Sequence, residues 1–191
     1  MTAPAGKVGP NAIIQLADVL ADRLGLEERA AALRAAGLAH YLARDPERMT
    51  DEREAAALHL VVQARQPSDW DELSWEAGER TAEYLLENRI PKGAQWLLRR
   101  LPPAWSARML LRAIRVHAWT FAGSGTFAAR MERGAAVISI TDNPIAMPGC
   151  PWHRAVLTRL FRELVSPRVL VRHEHCCARG EQACSFVIGW T

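Results

Sequence analysis

No uncharged apolar run in this sequence reaches the ~18 residues that a membrane-crossing helix needs. The opening residues, MTAPAGKVGPN, lack the charged start and apolar centre of a secretory leader, so a cytoplasmic location is expected. No G-x-G-x-x-G follows a strand-like run, which argues against a Rossmann nucleotide site. The two glycines of GSGTF come after a helical pattern and before a strand-like one, the reverse of the required order. No iron–sulfur spacing occurs. Basic residues are interspersed with acids in no long run and the net charge is only +3, so nucleic acid is not an expected partner. Tyrosine is scarce, with two residues against seven tryptophans, which points to core packing or to a pocket for a large flat ligand. Cysteine is scarce too, and its distribution is uneven: of four, three lie in VRHEHCCARGEQACSF near the end and the other is Cys150.

What is present divides into two textures. Residues 1–122 read as helices. PNAIIQLADVLADRLG places Ile13, Ile14, Ala17, Leu20 and Leu24 at helical spacing, with Asn11 as a cap and Gly25 as a stop. Further helices are expected over residues 27–42, from Asp51 with Glu54 closing a capping box, over 70–88, from Pro91, and over 104–121. Residues 123–191 read as strand, strand, helix, strand, strand. TFAARMERGAAVISITD gives a hairpin turning at ERG, WHRAVLTRLFRELV an amphipathic helix, and RVLVRHE and ACSFVIGW a second strand pair. Two hairpins around one helix imply an antiparallel sheet and an α+β fold. The change near residue 123 is expected to divide two parts of one integrated domain.

The cysteines suggest a metal. Zinc takes four Cys or His ligands in a tetrahedron. Cys176 and Cys184 flank the polar turn CARGEQA, where Gly180 permits a left-handed backbone, so they stand at the two ends of a hairpin. Cys150 precedes a helix and would pin its start to that hairpin. His173 is the expected fourth ligand, with Glu174 and His175 as rivals. Strand alternation puts His173 and His175 on one face and Glu174 on the other, although a strand end beside a turn can twist out of that rule. Four protein ligands would leave no position for water, so the site would be structural. Cys177 is expected to be an ordinary thiol. A catalytic Cys176 activated by His173 or His175 is a further reading, but no oxyanion site or acyl-transfer partner accompanies it.

The pattern Cys-x22-His-x2-Cys-x7-Cys, formed by Cys150, His173, Cys176 and Cys184, resembles that of vinyl-4-reductase domains. There the second ligand is usually Glu, in the arrangement Cys…Glu-x2-Cys-x3-Gly-x3-Cys-x-Phe. Gly180, Cys184 and Phe186 fall in register with it, and His173 stands in place of the Glu. Such domains are similar to the aromatic-sensing domains of bacterial activators and to vesicle-tethering subunits of the Bet3 type, with helices on one side of an antiparallel sheet and often dimeric. KVGPNAIIQL, DPERMTDERE, EAGERTAEYLLENRIP and RVHAWTFAGSG resemble the bacteriochlorophyll-synthesis 4-vinyl reductase family over nearly the whole chain.

That resemblance implies a role in bacteriochlorophyll synthesis, at reduction of the 8-vinyl (old 4-vinyl) group of divinyl protochlorophyllide. Vinyl reduction draws its electrons from a cofactor, and no donor-binding motif is visible. The expected role is therefore accessory: the chain binds or carries a magnesium-tetrapyrrole intermediate, alongside other enzymes of the pathway and as a homodimer. The alternatives are the reductase itself, which would need NADPH or a similar donor, and a regulatory or scaffolding module. Candidate tetrapyrrole contacts lie at the helix-to-sheet junction: His117, Trp119, Phe121 and Phe127, with His153 beside Cys150 as a second candidate axial ligand. Arg112 and Arg115 could meet a propionate. His40 and His59 look ordinary.

Overall fold

The computed structural model describes residues 6–191. The reading of a missing leader falls partly on residues 1–5, outside the described ones. A two-residue strand pair, β1 (Lys7–Val8) with β2 (Thr50–Asp51), brackets helices α1 (Asn11–Leu24) and α2 (Leu26–Ala35). Helices α3 (Glu52–Arg65), α4 (Trp70–Asn88), α5 (Lys92–Arg100), α6 (Pro103–Val116) and the single turn α7 (Trp119–Ala122) follow. Then come β3 (Thr126–Glu132), β4 (Ala135–Thr141), α8 (Pro151–Leu164), β5 (Val169–His175) and β6 (Ala183–Trp190). The last four strands form one antiparallel sheet in the order β3-β4-β6-β5. The fold is α+β.

The local chemistry accounts for most boundaries. Arg133 (φ 49) and Gly134 (φ 84) are both left-handed, the backbone a two-residue hairpin needs to match strand twist. Period-2 alternation turns Ile138, Ile140, Phe186, Ile188, Val169 and Val171 inward, and all are buried. Helices α6 and α8 cover that inner face.

Two apolar clusters make up the interior. One joins the sheet to α6, α8 and the end of α4; the other gathers α1, α2, α3 and the start of α4. Helix α8 serves both. Its Trp152 belongs to the helical cluster, its Leu157, Leu160, Phe161 and Leu164 to the sheet cluster, and Val156 packs against both. The α4–α8 contact is close because α4 carries Gly78 where they meet. A Cβ there would lie 2.4 Å from the Trp152 carbonyl oxygen and 2.7 Å from Ala155 Cβ.

Several local expectations fail, each for a physical reason. The helix expected over 27–42 ends at Ala35, because Gly37 turns left-handed (φ 76) and Leu38 N–H bonds back to Leu33 O; Ala39–Leu42 is a separate 3-10 turn. The helix expected over 104–121 breaks at His117 (φ -106, ψ 9). Beyond that break the Thr120 carbonyl accepts Gly9 N–H, which ties it to the segment after β1. His117 and Phe121 therefore do not share a helical face. Asp51 caps α3 by accepting Arg53 N–H, but Glu54 closes no capping box; it accepts the Tyr41 hydroxyl at 2.9 Å. Asn11 is the first helical residue, with Pro10 at the cap, and Pro91 caps α5 from outside it. The β1–β2 pair leaves no mark in the sequence, since two residues are too few to show a period.

Gly78→Ala should cost about 1–3 kcal/mol in urea unfolding, because the new methyl meets backbone that cannot yield. Gly93→Ala, on α5 with open space around it, should be neutral or stabilising by up to about 1 kcal/mol. A second expectation concerns His59. It is buried, with Nε2 3.2 Å from Ala12 O and Nδ1 3.4 Å from Ser74 Oγ, and burial pushes its pKa down to about 4. The unfolded chain therefore binds this proton more readily. The stability tied to neutral His59 is complete above about pH 6.5 and is lost as pH falls toward 4, up to about 3 kcal/mol. Thermal melts from pH 7 to 4 should show a shallower decline for His59→Gln than for the parent.

Candidate functional site

Three separate segments deliver one cluster. Cys150 follows Gly149 in the loop after β4, and both are left-handed (φ 45 and φ 76). A non-glycine residue in that region is uncommon, and Pro151 next to it starts α8. The bend turns the Cys150 thiol into the interior, where it is 1% exposed. Cys176 follows β5 and Cys184 lies in β6, both fully buried. Cys150 Sγ is 3.4 Å from Cys184 Sγ and 3.8 Å from Cys176 Sγ. With His173, the four ligand atoms lie within 4.8 Å of one another. Sulfurs on a tetrahedron with 2.3 Å arms would sit about 3.8 Å apart, so the spacing suits a zinc-sized ion.

The fourth position is settled by a bulge. Between His173, opposite Phe186, and His175, opposite Ser185, the β5–β6 register shifts by one residue. The bulge cancels strict alternation. His173 stays inward, its ring stacked on Phe186 at 4.9 Å, and its buried Nε2 finds no hydrogen-bond partner among the described residues. Glu174 pairs outside with Arg172, and His175 reaches Glu181 at 2.6 Å. The geometry thus gathers Cys150, His173, Cys176 and Cys184 and leaves out Glu174 and His175.

The surrounding bonds hold the turn in shape. Glu181 accepts Cys176 N–H with one oxygen and His175 Nδ1 with the other. That contact raises the His175 pKa and lowers that of Glu181. Gly180 (φ 84) closes the Cys177–Arg179 turn. Cys177 is left out of the cluster, but its N–H donates to Cys184 Sγ at 3.4 Å. Donation by the Cys150 thiol pulls the Cys184 pKa down to about 3, with help from His173 and the Cys177 amide, and the same bond pushes Cys150 up. A bound cation would take the Cys150 proton's place, since a coordinating thiol is deprotonated.

The tetrapyrrole candidates fall into two groups. Phe121 and Phe127 meet edge to face at 5.5 Å and are half-buried. His153 is sealed inside, stacked on Phe186 with centroids 6.1 Å apart, and burial pushes its pKa down to about 4. His117 and Trp119 are exposed. Next to His117, α6 and β3 enclose an open cleft of about 450 Å³, lined by Leu111, Val116, Ala129 and Met131 and by the guanidiniums of Arg108, Arg112, Arg115 and Arg130.

One structural residue escaped sequence reasoning. Glu52, in the first turn of α3, is buried and accepts both Ser124 N–H (2.7 Å) and Ser124 Oγ (2.8 Å). A Cβ on either Gly6 or Gly123 would fall 2.2 Å from its Oε2. Glu52 thereby fastens the AGSG junction to the helical half; the only hint in the sequence is the pair of glycines flanking Ser124.

The model of the vinyl-4-reductase domain matches residues 140–190, the span from β4 to β6 that carries all four clustered side chains. The chain is 43% identical over 190 residues to the bacteriochlorophyll synthase 23 kDa chain of Cereibacter sphaeroides, covering 95% of this chain and 90% of that protein. It is 38% identical over 187 residues to the protein of the same name from Rhodobacter capsulatus, covering 95% and 86%. Among solved structures it is similar to an H-NOX protein from K. algicida (TM-score 0.64, 13% identity, 96% and 97% covered) and to one from S. oneidensis (TM-score 0.62, 10% identity, 96% and 99% covered). At that identity the likeness is one of fold. The relatives carry the finding further: this chain belongs to the family of the bacteriochlorophyll synthase 23 kDa chain, the 4-vinyl reductase family of bacteriochlorophyll synthesis.

Proposed function

We propose that this protein binds a magnesium-tetrapyrrole intermediate of bacteriochlorophyll synthesis and presents it for 8-vinyl reduction, with a zinc ion as a purely structural element. Residues 1–122 and 123–191 act as one unit in this reading, because the ligand sits where they join. The observation that carries it is the α6–β3 cleft beside His117. Its apolar floor suits the face of a macrocycle, and its four guanidiniums suit a propionate, which Arg accepts in a bidentate grip. An axial ligand must reach the central ion. His117 is exposed and can do so, whereas His153 is 4% exposed and closed off by Trp152 and Phe186. Trp119, Phe121 and Phe127 supply aromatic surface beside it. The H-NOX neighbours include proteins described by their haem distortion and their protein-induced porphyrin distortion, which supports the capacity of this architecture for a tetrapyrrole.

Absorption spectra test the reading. Adding divinyl protochlorophyllide should shift its Soret band without loss of the vinyl group, and His117→Ala should remove the axial component of that shift. Vinyl loss matched by oxidation of added NADPH would instead make the chain the reductase. An unchanged spectrum with the parent protein would leave neither role standing.

Zinc would be held by Cys150, His173, Cys176 and Cys184, closing all four positions, so it would order the hairpin and supply no chemistry to a ligand. Elemental analysis of protein purified without chelator should find about one zinc per chain. Cys184→Ser should lose the metal and destabilise the β5–β6 hairpin by several kcal/mol, whereas Cys177→Ser should keep both. A well-folded parent with less than about half an equivalent would make these ordinary thiols.

A further inference from the structure

The distribution of charge along the chain is uneven in a way that the proposed ligand does not explain. Residues 89–131 contain eight of the 24 basic residues and none of the 21 acidic ones. The rest of the chain is therefore net acidic, and α5, α6 and β3 form a cationic side. Arg99 is neutralised by Glu163 and Arg130 by Glu132. Arg100, Arg108 and Arg112 make no ion pair among the described residues.

Apolar side chains stand among these cations. Trp96, Trp105, Val116 and Trp119 are each more than half exposed, and Leu97 and Met109 more than 40%. Along α6 the outward residues run Trp105, Arg108, Met109, Arg112, Val116, mostly at steps of three or four, so apolar and cationic groups alternate on one face. The opposite face, with Ser106, Ala107, Leu110 and Leu111, is buried. On α5, Gln95 and Leu98 face inward, while Trp96 and Leu97 are exposed and the Arg100 guanidinium lies 4.6 Å over the Trp96 ring.

This geometry points to an anionic phospholipid bilayer as the partner of the α5–α6 surface. A protein interface would concentrate apolar groups at its centre and deplete charge there; here a cation recurs at every turn. A bilayer surface accepts that alternation. Tryptophan rings settle at headgroup depth, and arginine stems lie along the apolar layer while their guanidiniums meet phosphates. With no carboxylate in this segment, nothing on it is repelled by a negative surface, and the acidic remainder orients it toward the lipid. The association would be peripheral, since no helix among the described residues is long and apolar enough to cross a membrane.

The test uses vesicles of phosphatidylcholine with and without phosphatidylglycerol, at low and high salt, with sedimentation and tryptophan emission as readouts. The protein should bind the anionic vesicles at low salt with a blue-shifted emission, and salt should release it. Lys92→Glu with Arg100→Glu should lower the partition coefficient at least about tenfold. Trp96→Ala with Trp105→Ala should lower it too and remove most of the emission shift. These four positions lie outside the α6–β3 cleft, so the tetrapyrrole reading stands or falls separately. Equal partition into both vesicle types, or no binding by the parent, overturns the proposal without any variant. So would light scattering that shows a dimer turned monomer by the tryptophan pair with no vesicle association, which would assign the face to a second copy of the chain.

Discussion

The close approach of α4 and α8 at Gly78 is the contact on which the architecture turns. Without a side chain there, α4 can lie against the Trp152 carbonyl and Ala155. That places α8 with one end in the helical cluster and its length over the sheet. Any larger residue would push α8 outward, and with it the Cys150 loop from which the helix springs. The position of the metal cluster is thus set partly by a glycine on a helix that contributes no ligand.

Local irregularity gathers around the cluster. Cys150 is left-handed, Gly149 beside it is left-handed, and β5 carries its bulge between His173 and His175. Each departs from the regular backbone to aim a side chain, and regular structure surrounds them all. Departures of this kind are expected where function overrides local preference. The aromatic arrangement is continuous with them: His173 stacks on Phe186, and Phe186 faces His153, which hydrogen-bonds the Phe121 backbone. The cluster and the helix-to-sheet junction are linked through these rings.

The antiparallel sheet, its hairpins and α8 were legible because period-2 and period-3.6 patterns are strong over seven to fourteen residues. The cluster was legible because Cys and His near a glycine turn have few structural uses. The choice of His173 over His175 was not, since a bulge leaves no mark in composition. Nor was the break at His117, where a run that is helical by propensity yields to a backbone bond from Gly9 to Thr120, more than a hundred residues away in sequence. Glu52 was hidden for the same reason: a carboxylate in a first helical turn looks like an ordinary dipole partner until Ser124 is placed beside it. The acid-free stretch from 89 to 131 is written in the sequence, but the small overall net charge masks it.

The separation of Cys150 and Cys184 by 34 positions has a consequence for the denatured ensemble. An ion gripping both would act as a cross-link, and closing a loop of that length removes about 4 kcal/mol of chain entropy from the unfolded state, by the reasoning used for disulfides. The loop contains α8 and β5 entire. A chain that kept its ion while the helical half melted would therefore hold α8 near the β5–β6 hairpin, and refolding would begin from a tethered search.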